Sequence, residues 1–569
     1  MRAIAILSTF AVCLAACSPA DVEHADLILH NGTVVTVNDA FDTAEAVAVA
    51  GTSILTVGTN ERILAMRGPD TVLIDLGGRV VLPGLGDSHN HMSGVGMSLL
   101  FPSLEGSESI ADIANVIAAA AEETPEGEWI QTATIGEPAI SALLKERRYP
   151  NRWDLDPVSP NHPVLISAPH VSILNSAGLR VAGITRDTKD PAGGEIVRDP
   201  ETGEPTGVLL ERAQSLVQGF LPPVTDAMRD EALARAMAEY NRSGLTSIVQ
   251  HGITPDFVRA FQRLWAAGRM TVRVTLFPYV DAGRDLGDIE EELEALSAFA
   301  SYPGFGDEFL RIAGIKLGFD GGVGIGTALQ REPYRGPGGE SSYGIQRIPD
   351  DKFAAIVRLA VENNLRVAVH ASGGGAMDKV FATFEKLQGT RDLTPMRHVA
   401  VHAQLPTERN FAQVKNLGLA IAAQPIFQYS MGNGYVKYLG KALADRSNPM
   451  RTWYENSIPV ALGSDAPVNP HSPLLGIWYT QTRLDKATGE VLGADQTISR
   501  EQALIGYTRN VAFSTFEEEV KGSIEPGKLA DMIVLDRDLL SCPVDEIKDI
   551  EVLMTIVGGK IVYRRGDAI

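Results

Sequence analysis

Eleven histidines stand in the sequence, and several close apolar runs. His89 and His91 lie in Leu82-Pro83-Gly84-Leu85-Gly86-Asp87-Ser88-His89-Asn90-His91. Two positions apart on an extended chain, both imidazoles leave the backbone on one side, so a single cation can take both. His370 closes Arg366-Val367-Ala368-Val369-His370, and His402 closes Val399-Ala400-Val401-His402. Asp465 closes Val460-Ala461-Leu462-Gly463-Ser464-Asp465. A lone His-X-His is a weak signal. Ligating side chains at the ends of four apolar runs make a much stronger one, because each alone has an ordinary reading as a strand cap and the set does not.

Lys316 stands inside Ile312-Ala313-Gly314-Ile315-Lys316-Leu317-Gly318-Phe319-Asp320. A buried ammonium is costly unless paired or neutralised. Addition of carbon dioxide is one remedy, giving an anionic carbamate that can bridge two cations. A lysine snorkelling from a strand edge is the plainer reading.

These side chains need a scaffold that brings distant strand ends together. Ten strand-like runs alternate with helical stretches: 85–91, 129–135, 163–168, 246–251, 272–279, 312–319, 365–370, 398–402, 419–424 and 459–465. The second and third fall in the Pro- and Gly-rich stretch 101–211. If they belong to an insertion, eight remain, the number a (β/α)₈ TIM-type barrel needs, and such barrels carry their sites at the C-terminal strand ends. The two chain ends are turn-rich and strand-like, with Asn31-Gly32 and Gly558-Gly559 turns, and together read as one small β-sandwich. The expected division is 1–16 leader, 17–82 N-terminal part of the β domain, 83–100 barrel start, 101–214 inserted subdomain, 215–514 barrel and 515–569 C-terminal part of the β domain.

The chain has 569 residues, a length for several domains or one large barrel with additions. Its net charge of −21 disfavours nucleic acid and anionic lipid as partners, and 6% aromatics give no stacking surface for single strands. The start, MRAIAILSTFAVCLAAC, has one basic residue, Arg2, and a short apolar run. Leu14-Ala15-Ala16-Cys17 resembles a bacterial lipobox, which implies cleavage before Cys17, a lipid anchor on its sulfur and a place in the cell envelope, with Ser18 favouring the outer membrane. With Cys13 and Cys17 so used, Cys542 has no disulfide partner.

Taken together, Pro83-Gly84, Asp87-Ser88-His89-Asn90-His91, Lys316, His370, His402-Ala403-Gln404-Leu405 and Gly463-Ser464-Asp465-Ala466-Pro467-Val468 resemble the metal-dependent amidohydrolase superfamily. The tail Gly522-Ser523-Ile524-Glu525-Pro526-Gly527-Lys528-Leu529-Ala530-Asp531 is similar to its closing motif. The nearest branch is amidohydrolase family 3, which includes N-substituted formamide deformylase-like enzymes. The resemblance implies His89, His91, Lys316, His370, His402 and Asp465 as metal ligands for one or two divalent ions, zinc first, with Lys316 N6-carboxylated. It implies Asp465 as proton shuttle and His170 of the insertion as a catalytic or substrate-binding group; Gln424 is a further pocket candidate, and His251 a residue lining the mouth. The sequence departs from the branch at Val401, where Glu is common before His402, and at Ser372-Gly373-Gly374-Gly375, where Ile-Gly-Asp-Arg is usual. The activity so implied is hydrolysis of an amide, N-acyl or N-formyl C–N bond in a small molecule. An ester or lactone hydrolase on the same fold and a ligand-binding lipoprotein without turnover are the alternatives. Oligomeric state is not readable.

Overall fold

The computed structural model describes residues 24–133, 144–168, 171–191, 194–336 and 341–566. The leader and Cys17 lie outside the described residues, as does His170. No helix among the described residues is long and apolar enough to cross a membrane. Cys542 is a free thiol.

The N-terminal end builds one sheet by itself and shares a second with the C-terminal end. A four-stranded sheet runs in the order Ser53–Gly58, Ala46–Ala50, Ala25–His30, Arg67–Asp75. A six-stranded sheet runs in the order Lys560–Arg564, Val552–Val557, Met532–Leu535, Val80–Pro83, Thr33–Val35, Thr43–Ala44. Leu27, Leu29, Val47 and Val49 of the first face Val34, Val81, Met532, Val534, Met554 and Ile556 of the second across a shared core. The alternate residues Ile533, Leu535 and Val552 enter the central core instead. A sheet buried on both faces has no polar stripe, which is why these strands read as unbroken apolar runs. Asp531 ties the two regions together: its carboxylate receives Nε of Arg273 at 2.7 Å and Nη2 at 2.9 Å. The last hairpin turns on Gly558 and Gly559, both at positive φ (54° and 73°), as a two-residue connection of this hand requires.

A separate five-stranded sheet runs in the order Gly194–Arg198, Pro205–Glu211, Val171–Leu174, Val164–Ala168, Ile130–Gln131. It packs on helix Ile110–Glu123 through Ile113, Ile117, Val164, Ile166 and Ile173. Of the runs at 129–135 and 163–168, Ile130–Gln131 and Val164–Ala168 join this sheet and not the parallel strands that carry the histidines.

Those parallel strands form two arcs. One holds Leu85–Asn90, Leu245–Ile253, Arg273–Pro278 and Leu310–Ile312, with Phe305–Gly306 antiparallel at its edge. The other holds Ile315–Gly318, Val367–Ala371, Val399–His402, Ala420–Ala423 and Val460–Leu462. The chain passes from one arc to the other at Gly314, where Ala313 N–H donates to Leu276 O and Ile315 N–H to Arg366 O. Gly314 has φ 151°, and a Cβ there would stand 2.4 Å from Arg366 O. At the opposite seam Asp465 N–H donates to His89 O at 2.7 Å and His91 N–H to Ala466 O at 2.9 Å. The ladders therefore do not close into one ring, as a (β/α)₈ barrel would. At the seams isolated hydrogen bonds replace a continuous ladder, because the backbone leaves β geometry there. Between the arcs Val249, Phe277, Ala368, Val399, Val401, Ala420 and Ala422 form an apolar plug beneath the imidazoles.

Candidate functional site

Asp465 sits where the chain leaves strand Val460–Leu462, at φ 61°. His402 (φ 75°) and Ala403 (φ 47°) leave their strand in the same left-handed region. Non-glycine residues rarely adopt it, and such outliers gather at functional sites. The turns swing both side chains toward the cavity that His89 and His91 enter from the first strand.

The resulting cluster is tight. Asp465 Oδ1 lies 3.0 Å from His91 Nε2 and 3.2 Å from His89 Nε2. His89, His402 and Asp465 each offer a ligand atom, all within 4.8 Å of one another. The His402 ring centroid is 5.1 Å from that of His89 and 4.4 Å from that of His370. Lys316 is buried beside them, and its charge is felt at His89, His402 and Asp465. The structure thus brings together His89, His91, Lys316, His370, His402 and Asp465.

Electrostatics there favour neutral bases. Burial, then the charges of Lys316, His91 and His370, hold His89 well below the usual imidazole range. Burial, then His370, does the same to His402. Burial lowers Lys316 to about 7 against the opposing pull of Asp465. Burial raises the Asp465 carboxyl, but the contact with His91 and the charges of His91, His402 and Lys316 outweigh it and leave it lowered.

Several polar atoms in this buried place have no partner: both ring nitrogens of His402, Nζ of Lys316 and Oδ1 of Asp465. The approaches to Asp465 Oδ1 are close without being aligned hydrogen bonds. Buried polar atoms are seldom left unsatisfied. Imidazole nitrogens and a carboxylate oxygen converging on a common point are the donor set of a divalent cation, and these residues fit one.

Three residues hold the cluster in shape. Asp320, fully buried, lies 2.9 Å from His370 Nδ1 and accepts the backbone N–H of Ser372, Gly373 and Leu329 at 3.0, 2.9 and 3.1 Å. Asp87 accepts from His89 N–H at 3.0 Å and from the Ser464 N–H and hydroxyl at 3.1 and 2.5 Å, so it joins the first strand to the Asp465 turn. His251 lies with Nδ1 2.8 Å from His89 Nδ1 and its ring stacked on Phe277. Asp320 and Asp87 carry no spacing signal. Asp87 lies in strand Leu85–Asn90 two positions before His89, and Asp320 two positions past strand Ile315–Gly318, so nearness to a candidate ligand was the available clue. His251 is buried under His89 and does not line the mouth, because its strand continues to Ile253 and leaves it below the rim.

Gln424 is fully buried, donates to Ala422 O at 2.9 Å and leaves Oε1 unpartnered. Among the described residues it has no hydrogen bond to the imidazoles. Val401 belongs to the apolar plug. The glycine run explains itself sterically: a Cβ at Gly373 would stand 2.0 Å from Leu329 O, and one at Gly374 2.2 Å from Arg331 Nη1. The segment 329–331 lies directly against the start of helix Gly374–Gln388. Phe427 covers His402 at 5.7 Å, and one turn further along its helix a cavity of about 160 Å³ opens between Gly324, Ile325, Met431 and Tyr438.

Paired parallel arcs, a histidine-rich centre at their C-terminal ends and a mixed β-sheet pair from both termini define a metal-dependent hydrolase. A family model for the amidohydrolase family matches residues 72–563. The putative amidohydrolase YtcJ of Bacillus subtilis (strain 168) is 32% identical over 551 residues, covering 95% of this chain and 99% of that one. The N-substituted formamide deformylase of Arthrobacter pascens is 28% identical, covering 95% and 98%. A metal-dependent hydrolase from Pyrococcus furiosus superposes with a TM-score of 0.71 at 25% identity, over 90% of this chain and 99% of that one. The chain belongs to the amidohydrolase family and is a hydrolase of that class, acting on carbon–nitrogen bonds.

Proposed function

We propose that the protein hydrolyses the C–N bond of an amide, N-acyl or N-formyl small molecule at the cluster around Asp465. One observation carries this reading: four imidazoles, a lysine and a carboxylate from five strands meet in one place, with polar atoms of His402, Lys316 and Asp465 buried and unpartnered. His89, His91, His370, His402 and Asp465 would hold one or two divalent ions, zinc first. Such an ion, when bound, supplies Lewis acidity and a lowered pKa for water. Asp465 stays anionic and takes the proton from the attacking water. The water oxygen bonds to the acyl carbon, the C–N bond breaks, and Asp465 returns the proton to the departing amine nitrogen. Asp320 and Asp87 keep His370 and the Asp465 turn in place, while Phe427 screens one side of the cluster from water.

Lys316, unpartnered and lowered by burial to about 7, is an uncharged amine in about half of the molecules at neutral pH and so can accept carbon dioxide. Its Nζ bonds to the carbon and loses one proton, leaving a carbamate. The two strand arcs, read as one barrel around the apolar plug, and the domain division at 83, 101, 215 and 515 belong to the same proposal. So do a substrate contact from His170 and a lipid anchor on Cys17, supported by the Leu14-Ala15-Ala16-Cys17 sequence.

The test is metal content together with turnover of an N-acyl panel and matched esters by wild type and Asp465→Asn. We expect the variant to keep metal and lose about 10²–10⁴-fold in kcat. Full activity in the variant would remove the proposed proton shuttle. Turnover of the esters alone would favour the ester and lactone reading.

A further inference from the structure

Arg483 caps helix Pro473–Thr482, which begins just past the Asp465 turn, and its side chain is fully buried. Its guanidinium donates from Nε to Leu492 O at 2.5 Å and from Nη1 to Asn448 O at 3.1 Å. Nη2 donates to Ser447 O at 3.0 Å and to Gln428 Oε1 at 2.8 Å. All four partners are uncharged oxygens. Buried charges are normally paired with an opposite charge. What the rigid fork supplies here is therefore geometry: it pins two successive carbonyls of the turn Ser447-Asn448.

The pinned turn reaches the site. Asn448 N–H donates to Gln404 O at 2.8 Å, and Gln404 stands two positions past His402. The next carbonyl, Leu405 O, is held by Arg331 Nη1 at 2.9 Å. Four residues along the path from Arg483 to His402 are non-glycine in the left-handed region: Arg483 at φ 52°, Asn448 at 49°, Ala403 at 47° and His402 at 75°. Each such conformation is disfavoured alone and persists only where surrounding bonds over-determine it. Both side-chain amide atoms of Asn448 are buried without an aligned partner, so the link runs through its backbone.

We propose that Arg483 is a positioning residue for His402. Through the Asn448 backbone it holds the left-handed turn that aims this imidazole into the cluster, and so sets how tightly the cluster grips a divalent cation. The inference rests on the reading of the cluster as a metal site. It adds a residue that, among the described residues, has no hydrogen bond to any candidate ligand. The guanidinium also closes a circuit, since its helix leads back to the Asp465 turn while its fork leads to the His402 turn. Ligand distances tolerate about 0.2 Å, so loosening the bond at Gln404 is enough to weaken the grip.

The experiment measures zinc affinity, by competition with a chelator, and melting temperature for wild type, Arg483→Met, Arg483→Lys, Asn448→Val and Asn448→Gly, at a temperature where each is folded. Arg483→Met should weaken zinc binding about 2- to 30-fold, and Arg483→Lys should recover part of the loss. Asn448→Val, whose branched side chain resists the left-handed region, should show a loss of the same size. Asn448→Gly keeps the backbone bonds and suits that region, so it should stay nearest to wild type. A lowered melting temperature with unchanged zinc affinity in Arg483→Met and Asn448→Val would make the arginine merely structural and overturn the proposal. If Arg483→Met does not fold, the two Asn448 variants decide by the same criterion. If wild type takes up no zinc, the metal reading falls, and the ring-nitrogen NMR signals of His402, assigned by their loss in His402→Gln, decide the link. A shift in Arg483→Lys and Asn448→Val but not in Asn448→Gly keeps the positioning role; signals that stay in place overturn it.

Discussion

His370 is tied to Asp320: ring Nδ1 lies 2.9 Å from Oδ1 of a fully buried carboxylate, which also accepts Ser372 N–H, while Oδ2 accepts the N–H groups of Gly373 and Leu329. The ring this carboxylate holds packs edge-to-face on His402, with centroids 4.4 Å apart. A carboxylate behind a ligating imidazole fixes both its orientation and its tautomer.

Asp320→Asn keeps the size but removes the charge. We expect metal affinity and activity to fall about 10- to 100-fold. Equilibrium dialysis against a metal buffer, alongside turnover, reads both. Unchanged affinity would show that His370 needs no anchor.

Chelation tests the cluster as a whole. A ligand that binds only the folded state at 100 times its Kd stabilises by about 2.7 kcal/mol. Stripping the ion should therefore lower the melting temperature by a few degrees, and adding zinc back should restore it. A melting curve indifferent to chelator would mean that these side chains hold no structural ion.

Gly373→Ala puts a methyl group where Leu329 O stands, 2.0 Å away. Overpacking of this kind costs about 1–3 kcal/mol. Because Gly373 N–H holds Asp320, activity should fall with stability. Gly287→Ala, whose Cβ meets nothing within 4 Å, serves as the control and should lose neither. Equal melting temperatures for the two variants would refute the steric reading of the glycine run.

His398 sets an acid sensitivity away from the cluster. It is fully buried, accepts Val367 N–H at 3.0 Å, and is lowered to about 3 by burial, then by Arg366 and Arg391. The unfolded chain takes up this proton below about pH 6.5, and the folded one does not until about 3. Stability is thus highest above 6.5 and falls by about 1.4 kcal/mol per pH unit as pH drops through that window. His398→Asn keeps an acceptor for Val367 and should flatten the acid side of the stability curve. Parallel curves for variant and wild type would assign the sensitivity elsewhere.

The candidate ligands were legible in sequence because their types are rare at the ends of apolar runs: His89, His91, His370, His402 and Asp465 each announce themselves by what precedes them. Lys316 was legible for the opposite reason, as a charge where none belongs. The apolar run Met532–Leu535 marked a strand, though not that its two faces serve two different cores. What only the folded chain decided is how the pieces meet. Asp320, Asp87 and His251 act through bonds to residues 50, 377 and 162 positions away, and no local pattern encodes such a distance. The seams at Gly314 and Asp465, where ladders give way to single hydrogen bonds, likewise depend on which strands become neighbours. Side-chain chemistry is a property of a residue and its near sequence. Orientation and the absence of a partner, as at Lys316, belong to the packing of distant segments, and only that packing fixes them.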